Sequence, residues 1–381
     1  MANKKSKNTK NTKAKTAKKT NEQIAVESAV NAAKKLHKKN PKLLIAIVAI
    51  VVTAAIIVGA LYIVKPEWFR IPMPESGQLV VHYIDVGQGD CIYISFPDGT
   101  DMLIDCGNDK GRNEYEMSAI SDLKELNPDG KIDHVMATHS DTDHISYLDE
   151  VLFEFQVGNV YMPNIRSNNI DKSVKIGGRD VKIGDLDASK LKKFTDKDTI
   201  DTERYTELFI AALSEPNCNI TLNIGKYEIR GQDYTFTFYC LSQEEWDSRN
   251  LESATQINAV SPIGILEYAG SRLVFTGDSN NSNEKYYCET YPYVDCDVLK
   301  VAHHGSSTSS SKDFLQHVAC EYAVISVGDG NSYGHPKQET LDRLKENGIQ
   351  KIHRTDKCGN IVLTVSHTGE MAFSCEKQCA A

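Results

Sequence analysis

The chain has 381 residues and a net charge of −9 near pH 7, from 43 basic and 52 acidic side chains. Residues 1–42 hold 13 of the basic and two of the acidic side chains, so the rest of the chain carries 30 basic and 50 acidic ones. This acidic balance argues against tight binding of DNA by charge alone, because such binding depends mainly on neutralisation of phosphates by Lys and Arg.

The first 42 residues are Lys mixed with Asn, Thr, Ala and Ser, without an aromatic residue. Such a segment cannot bury a hydrophobic core, so we predict that residues 1–42 form a basic, disordered tail. Two interpretations of its charge stay open: contact with nucleic acid or anionic lipid, and a signal that sets membrane topology. We favour the second.

Residues 43–64 form an uncharged run of mostly Leu, Ile, Val and Ala. As a helix, this segment would be about 33 Å long, which is enough to cross a bilayer. The excess of Lys before it predicts a single-pass protein of the cell membrane, with a cytoplasmic N-terminus and an extracellular catalytic domain. Residues 65–77 contain three prolines and are predicted to be a spacer.

From residue 78 to residue 375, strands and helices alternate in two batches that each begin with strands and end with helices. This pattern predicts one α/β domain, followed by a C-terminal tail at 376–381. Residues 164–206 are rich in Lys and Asp and lack periodicity, so we predict an insertion or extended loop there. The predicted strands are 79–85, 91–96, 102–105, 132–138, 220–224, 227–230, 234–241, 263–268, 272–276, 298–301, 322–327, 361–365 and 370–373. The predicted helices are 114–126, 145–155, 310–317 and 337–347.

All ten cysteines lie beyond the predicted membrane segment, where an exported domain can form disulfides. Their number is even, but spacing does not assign pairs, and no CxxC pattern indicates a structural zinc site. Cys91 and Cys240 lie in apolar runs, where buried thiols are equally expected.

Four side chains of types that bind metals lie within six residues, at His139, Asp141, Asp143 and His144. They follow a predicted strand, and a strand that ends in a loop directs alternate side chains toward one pocket. Two imidazoles and two carboxylates suit Zn²⁺ or Mn²⁺. A polar loop would explain any one of these residues but not all four, so we predict half of a two-metal hydrolytic site.

More His and Asp residues occur at the ends of other predicted strands. Asp105 ends the third strand, Asp278 and the pair His303 and His304 each follow a strand, and His335 closes a Gly-rich loop. Sites in layered α/β folds usually lie at the carboxyl ends of strands. We therefore expect these loops to meet the first cluster.

The strand ends contain six motifs in order: Tyr83-Ile-Asp-Val-Gly-Gln-Gly-Asp90, Leu103-Ile-Asp-Cys-Gly107, Thr138-His-Ser-Asp-Thr-Asp-His144, Phe275-Thr-Gly-Asp278, Leu299-Lys-Val-Ala-His-His-Gly-Ser306, and Ile325-Ser-Val-Gly328 with Tyr333-Gly-His-Pro336. Together they resemble the motifs of metallo-β-lactamase-fold hydrolases, and within these the soluble C-terminal domain of ComEC competence proteins. The resemblance covers about residues 78–375. It implies a four-layer αββα sandwich with metals at the open edge between two sheets.

The resemblance implies two divalent metal ions and assigns the first to His139 and Asp141. The wider superfamily has a third histidine before the strand that ends in Gly-Asp, where this sequence has Asn258. It also often has a histidine in place of Asp141, although ComEC-like domains share the Asp. Because extra carboxylates shift the preference toward Mn²⁺, both Zn²⁺ and Mn²⁺ stay open.

The same resemblance assigns the second ion to Asp143, His144 and His304, with Asp278 as the carboxylate that bridges both ions. Spacing alone leaves His303 open in place of His304. Two dications about 3.5–4 Å apart would lower the pKa of a water and stabilise charge on the attacking and leaving oxygens of a phosphodiester. Asp143 or Asp278 is expected to orient that water.

His335 is the third predicted catalytic residue. It could polarise a phosphoryl oxygen or protonate the leaving group, or it could be a turn residue held between Gly334 and Pro336. Asp105 is expected to hydrogen-bond a histidine ligand, and Asp90 to shape the loop beneath the site.

Three functions stay open. The first is a membrane-anchored phosphodiesterase with DNA as its substrate, as the ComEC resemblance suggests. The second is a phosphodiesterase for cell-wall or choline-type substrates, which suits an acidic extracellular domain. The third is a metal-binding sensor or interaction module without turnover, which Asn258 and Tyr147 motivate because relatives have other residues there. ComEC channels have many membrane spans and this chain has one predicted span, so a role in DNA import would require a membrane protein partner.

Overall fold

The computed structural model describes residues 77–378, except for 112–113, 168, 170, 177, 195–201, 217, 250 and 350. Within this described part, none of the helices combines the length and the hydropathy that a membrane span requires. The predicted tail at 1–42 and the predicted membrane segment at 43–64 lie outside the described residues, so both stay predictions.

The described residues form short strands and helices that alternate along the chain. The strands are β1 Leu79–Tyr83, β2 Cys91–Ser95, β3 Asp101–Cys106, β4 Lys131–Met136, β5 Gln156–Met162, β6 Ser173–Ile176, β7 Arg179–Lys182, β8 Asn219–Leu222, β9 Lys226–Arg230, β10 Tyr234–Tyr239, β11 Ile263–Tyr268, β12 Ser271–Phe275, β13 Val298–Lys300, β14 Tyr322–Ile325, β15 Lys351–Arg354, β16 Ile361–Val365 and β17 Met371–Cys375. The α-helices are α1 Glu114–Leu126, α2 Thr142–Ile145, α3 Leu148–Glu154, α4 Ala188–Leu191, α5 Glu203–Ser214, α6 Gln243–Ser248, α7 Ala254–Asn258, α8 Asn281–Thr290, α9 Lys312–Val318, α10 Gln338–Glu346 and α11 Thr355–Cys358. Short 3₁₀ turns occur at Ile183–Asp185 and Ala302–Gly305.

The strands form two large sheets of similar design. The first has the order β17-β16-β1-β2-β3-β4-β5-β8 and the second has the order β15-β14-β13-β12-β11-β10-β9. In each sheet one half is antiparallel and the other half is parallel, from β3 to β8 in the first and from β12 to β15 in the second. The ends of these parallel strands bring the loops that follow them to one edge of each sheet.

Apolar side chains of the two sheets pack against each other and form the central core. Alternate residues of β1 (Leu79, Val81 and Tyr83) belong to the same buried cluster as Phe236 and Leu273 of the second sheet. This alternation is expected when one face of a strand points into the core.

Helices cover the outer face of each sheet and bury two further apolar clusters. Leu123 of α1 and Leu208 of α5 pack with the first sheet, whereas Phe314 of α9 and Leu344 of α10 pack with the second. The layers are therefore helix, sheet, sheet and helix, and the predicted αββα sandwich is confirmed.

Two local expectations need correction. The helix predicted over 145–155 is divided into α2 and α3, and Tyr147 lies between them with its side chain in the core under the first sheet. Its backbone N–H donates a hydrogen bond to the carbonyl of Cys106 at 2.9 Å. The ring of Tyr147 therefore fills the core instead of a pocket, and its position between the two helices changes the start of α3.

The segment 164–206, predicted as an insertion or extended loop, contains regular structure in its described residues. The hairpin of β6 and β7 and the short helix α4 lie there. Val174 and Ile183 pack against Ile210 of α5, which the sequence pattern did not predict as a helix. Lys and Asp residues dominate the segment because few of its side chains take part in this small core.

Candidate metal centre

The segment 139–144 follows the end of strand β4 at Met136 and includes the start of helix α2 at Thr142. Asp141 has extended backbone angles (φ −76°, ψ 146°) and precedes α2, whose first turn is closed by a hydrogen bond from the N–H of His144 to the carbonyl of Asp141. This turn presents Asp143 and His144 to the pocket immediately after His139 and Asp141.

Two glycines allow neighbouring loops to pack tightly against this turn. A Cβ on Gly89 would lie 2.1 Å from the carbonyl oxygen of Gly107 and 2.4 Å from that of Asp143. A Cβ on Gly107 would lie 2.7 Å from the backbone of α2. Larger side chains at either glycine would therefore displace the segment that carries Asp143 and His144.

Side chains from two further loops converge on His144 and His139. Nε2 of His144 lies 3.0 Å from Oδ1 of Asp278, and its ring centroid is 4.2 Å from that of His139 and 5.2 Å from that of His304. Nε2 of His304 lies 3.2 Å from Oδ2 of Asp143 and 3.6 Å from Oδ1 of Asp278. The structure thus brings together residues from both sheets that are up to 165 positions apart in sequence.

The Nδ1 atom of each buried histidine has a hydrogen-bond partner outside the centre. Nδ1 of His144 lies 2.8 Å from Oδ2 of Asp105, and Nδ1 of His304 lies 2.8 Å from the carbonyl oxygen of Ser326. Nδ1 of His139 lies 2.9 Å from the hydroxyl of Thr138, which itself donates to Asp105. Because these partners accept a proton at Nδ1, the lone pair of each neutral ring is at Nε2.

The Nε2 atoms of His139, His144 and His304 and Oδ1 of Asp278 are buried without a hydrogen-bond partner. The 3.0 Å contact between His144 and Asp278 lacks hydrogen-bond geometry, so it does not satisfy either atom. Buried polar atoms normally have partners, and three imidazole nitrogens with a carboxylate oxygen are a donor set for a divalent metal ion. Asp143, His144, Asp278 and His304 also offer ligand atoms within 4.8 Å of one another. The residues present therefore fit a divalent metal.

The electrostatics of the cluster lead to the same conclusion. Burial raises the pKa of Asp141 to about 7, and the negative charges of Asp143 and Asp278 add to the shift. Burial would also raise the pKa of Asp278, but the charges of His144 and His303 outweigh it and hold this pKa well below its usual range. A dication would offset the repulsion among these carboxylates.

His303 and His304 occupy different places although they are adjacent in sequence. Both have left-handed backbone angles (φ 51° and 53°), which turn the two side chains apart. His304 is buried in the centre, whereas Nε2 of the partly exposed His303 lies 3.5 Å from Oδ2 of Asp278. Nδ2 of Asn258 is 3.4 Å from both ring nitrogens of His303.

His335 lies beside His303 at the rim, with 5.7 Å between the ring centroids. Burial and the charges of His304 and His303 lower the pKa of His335 to about 4, so its ring is neutral at pH 7. The expected hydrogen bond between Asp105 and a histidine is confirmed, because Nδ1 of His144 donates to Oδ2 of Asp105.

Two charged residues that the sequence pattern did not single out are buried and have hydrogen-bond partners. Nζ of Lys300 donates to Oδ2 of Asp90 at 2.6 Å, and neither side chain is accessible to solvent. Glu284 accepts hydrogen bonds from the N–H groups of Ser310 and Ser311 at 2.6 and 2.8 Å. The ion pair of Lys300 and Asp90 had one signal in the sequence, which is the position of Lys300 within an apolar strand.

A disulfide joins Cys91, the first residue of β2, to Cys106, the last residue of β3. It connects the residues next to Asp90 and Asp105, so it ties together two loops that support His144. Of the two alternatives expected for Cys240, a disulfide and a buried thiol, the structure has the buried thiol.

The profile of the metallo-beta-lactamase superfamily matches residues 84–212. The chain is 26% identical over 299 residues to ComE operon protein 3 of Bacillus subtilis (strain 168), and this alignment covers 75% of this chain and 33% of that protein. It is 32% identical over 159 residues to competence protein ComA of Neisseria gonorrhoeae, and this alignment covers 39% of this chain and 23% of that protein. The chain thus spans about a third or less of the length of these relatives.

Solved structures also align with the chain. The metallo-beta-lactamase fold protein YhfI from Bacillus subtilis aligns over 72% of this chain and 95% of its own, with 12% identity and a TM-score of 0.39. The matched profile agrees with the αββα sandwich. The chain therefore contains a metallo-beta-lactamase domain and resembles ComEC-type competence proteins over about 75% of its length.

Proposed function

We propose that this chain is a membrane-anchored, metal-dependent hydrolase that cleaves phosphodiesters, with DNA as its substrate. The observation that carries the proposal is the convergence of three buried Nε2 atoms and Oδ1 of Asp278, none of which has a hydrogen-bond partner. The names of the curated relatives, which are competence proteins, support the choice of DNA over other phosphodiesters.

In this proposal two groups of residues would hold divalent metal ions. His139 and Asp141 would hold the first, and Asp143, His144 and His304 would hold the second, with the carboxylate of Asp278 available to both. When bound, divalent ions lower the pKa of water and offset the negative charge of a phosphodiester. Zn²⁺ and Mn²⁺ both suit this set of imidazoles and carboxylates.

The protein side chains would orient the reactants around this centre. Asp143 and Asp278 are ionised, because the neighbouring histidines lower the pKa of each carboxyl despite its burial. As acceptors, they can orient the attacking water by hydrogen bonding. Because the ring of His335 is neutral at pH 7, it would donate an N–H hydrogen bond to a phosphoryl oxygen rather than a proton to the leaving group.

The location of the activity follows from the segment 43–64 and is also a proposal. That segment would anchor the chain in the cell membrane, with the catalytic domain on the extracellular side. An outer, acidic domain also suits a cell-wall or choline-type phosphodiester, which is the second candidate substrate. With one predicted span, the chain would need a membrane protein partner to take part in DNA import.

A hydrolysis assay on the full chain in detergent tests this proposal. We expect Mn²⁺- or Zn²⁺-dependent cleavage of single-stranded or duplex DNA, and loss of that cleavage in Asp143→Ala. Hydrolysis of a choline phosphodiester without DNA cleavage would favour the second substrate. Metal binding without hydrolysis of any substrate would favour the metal-binding sensor. Asn258, which lies beside His303, supports that alternative because relatives have a histidine at its position. Protection of the C-terminal domain from protease on intact cells would contradict the extracellular location.

A further inference from the structure

An exposed tyrosine lies at the rim of the candidate metal centre. The side chain of Tyr333 is 51% exposed, and its ring is parallel to that of His335, with 5.8 Å between centroids and an angle of 16°. The ring of His335 is in turn 5.7 Å from that of His303, which contacts Asp278. The tyrosine ring is therefore stacked against His335, and about half of its side chain is accessible to solvent.

Tyr333 is also within electrostatic reach of the carboxylates of the centre. Burial of its hydroxyl end and the negative charges of Asp143, Asp109 and Asp141 raise the pKa of the Tyr333 phenol. Other large apolar side chains are exposed in the described part of the chain, at Tyr115, Met117, Phe153 and Tyr293. Among these exposed side chains, Tyr333 combines stacking on a candidate catalytic histidine with proximity to two proposed metal ligands.

The loop that carries Tyr333 is held in place by hydrogen bonds in both directions. Nδ2 of Asn331 donates to the carbonyls of Gly328 and His335 at 3.0 and 2.7 Å, and Oδ1 of Asn331 accepts from the N–H of His335. Nζ of Lys337 donates to the carbonyl of Tyr333 at 2.6 Å. The backbone that carries the ring is thus held in place before a ligand arrives, which limits the entropy lost on binding.

A polar cleft of about 220 Å³ borders the same loop. One wall consists of residues 328–332, and Gln88, Asp109, Lys110 and Tyr115 line the opposite side. The cleft offers amide, hydroxyl and charged groups, which can hydrogen-bond the edge of a heterocyclic base. The trimethylammonium group of choline can also pack on a tyrosine ring, but it has no polar edge that the amide and hydroxyl groups of this cleft could hydrogen-bond.

We infer that Tyr333 is a stacking platform for the nucleobase next to the scissile phosphate, so that the site selects nucleotide phosphodiesters over those without a base. The inference rests on the proposed function and assigns the substrate class of that same site. Base stacking on an aromatic ring is sequence-tolerant, so the platform requires no particular base. Removal of the ring should therefore weaken the binding of base-containing strands about tenfold or more.

Two oligomers of equal backbone charge test this inference on the full chain in detergent. One is hexathymidylate, and the other is a hexamer of tetrahydrofuran abasic sites. Cleavage with Mn²⁺ gives KM and kcat, and fluorescence anisotropy in an Asp143→Asn background gives Kd without turnover. We expect Tyr333→Ala to raise KM and Kd for hexathymidylate about tenfold or more, with less than a twofold change in both constants for the abasic hexamer.

Two further variants separate stacking from a general structural effect. Tyr333→Phe retains the ring and should stay within twofold of wild type for both oligomers. Tyr293→Ala removes an exposed tyrosine near the opposite end of β13 and should also leave both constants unchanged. An equal effect of Tyr333→Ala on the two oligomers, or no effect on either, would overturn the inference.

The same measurements distinguish this inference from the proposed function. If wild type binds hexathymidylate more tightly than the abasic hexamer through Tyr333 but cleaves neither, the stacking platform stands and the phosphodiesterase proposal fails. If wild type cleaves both oligomers at equal kcat/KM and Tyr333→Ala does the same, the hydrolase stands and the platform fails.

Discussion

Lys300 and Asp90 form an ion pair beneath the candidate metal centre, with 2.6 Å between Nζ and Oδ2 and both side chains buried. Asp90 comes from the loop after β1, and Lys300 ends β13, so the pair joins the two sheets. Oδ1 of Asp90 also lies 3.5 Å from Nδ1 of His304. The pair therefore supports a histidine of the centre from the side that faces away from the pocket.

Removal of the lysine should destabilise the fold strongly. In Lys300→Met the carboxylate of Asp90 stays buried without its partner, and such a loss costs about 3–5 kcal/mol of unfolding free energy. Adding Asp90→Asn removes the unpaired charge and should recover more than half of that loss. Urea unfolding of both variants measures the effect.

Lys351→Met provides the control for this prediction. Lys351 pairs with Glu321 on the surface, where both side chains are more than half exposed. Solvent screens such a pair, so the change in unfolding free energy should be close to zero. A Lys300→Met variant as stable as Lys351→Met would contradict the structural role of the buried pair.

The hydrogen bonds of Asp105 should control metal affinity. Asp105 accepts hydrogen bonds from His144 and from the N–H and hydroxyl of Thr138, so it orients two histidines directly or through Thr138. Loss of such a partner typically weakens metal binding about 10–100-fold. We expect this loss for Mn²⁺ in Asp105→Asn, measured by isothermal titration calorimetry.

Asp101→Asn is the matched control, because Asp101 starts the same strand β3 that Asp105 nearly ends. Its carboxylate accepts hydrogen bonds from Tyr93 and from the backbone of Asp133, away from the histidines. Metal affinity should be unchanged in this variant. Equal losses in Asp101→Asn and Asp105→Asn would show a general effect on folding instead.

Metal binding should release protons and strengthen as pH rises. Burial opposes protonation of His144 and His304, but Asp278 and neighbouring carboxylates outweigh it and raise both pKa values. Without metal, both rings thus hold a proton at Nε2 more readily than a free imidazole does, and an ion must displace this proton. Calorimetry in two buffers of different ionisation enthalpy should show proton release at pH 6.5. A metal affinity that is identical at pH 6.5 and pH 8 would refute this prediction.

His82 should make the metal-free fold sensitive to acid. Burial lowers its pKa from 6.5 to about 4. Because the folded state takes up this proton less readily than the unfolded state, its contribution to stability is present above about pH 6.5 and is lost as pH falls toward 4. The loss amounts to about 3 kcal/mol. In EDTA, His82→Leu should lose less unfolding free energy than wild type between pH 7 and pH 4; equal losses would contradict this assignment.

The sandwich could be predicted because the side chains of its strands alternate in a simple way between the two faces of a sheet. In β1, for example, every second side chain faces the central core, and the polar motifs follow directly where such strands end. Parallel strands then bring the loops that follow them to the same edge, so the meeting of the 139–144 segment with Asp278 and His304 could be expected from sequence.

The arrangement around the metal residues could not be predicted in the same way. The ion pair of Lys300 and Asp90 joins positions 210 apart, and nothing in either local pattern names the partner. The choice between His303 and His304 depends on two consecutive left-handed residues, a geometry that spacing does not encode. The cysteine pairing likewise depends on a register between β2 and β3 that only the folded sheet defines.

The most direct test of the central claim is the metal content of the full chain, measured by inductively coupled plasma mass spectrometry after dialysis against Mn²⁺ or Zn²⁺. Wild type should retain a divalent ion, and His144→Ala and Asp278→Ala should lose it. His353→Ala, in a separate His and Cys group, should retain it. A wild-type protein without a bound dication, or one whose metal content survives both His144→Ala and Asp278→Ala, would contradict the account.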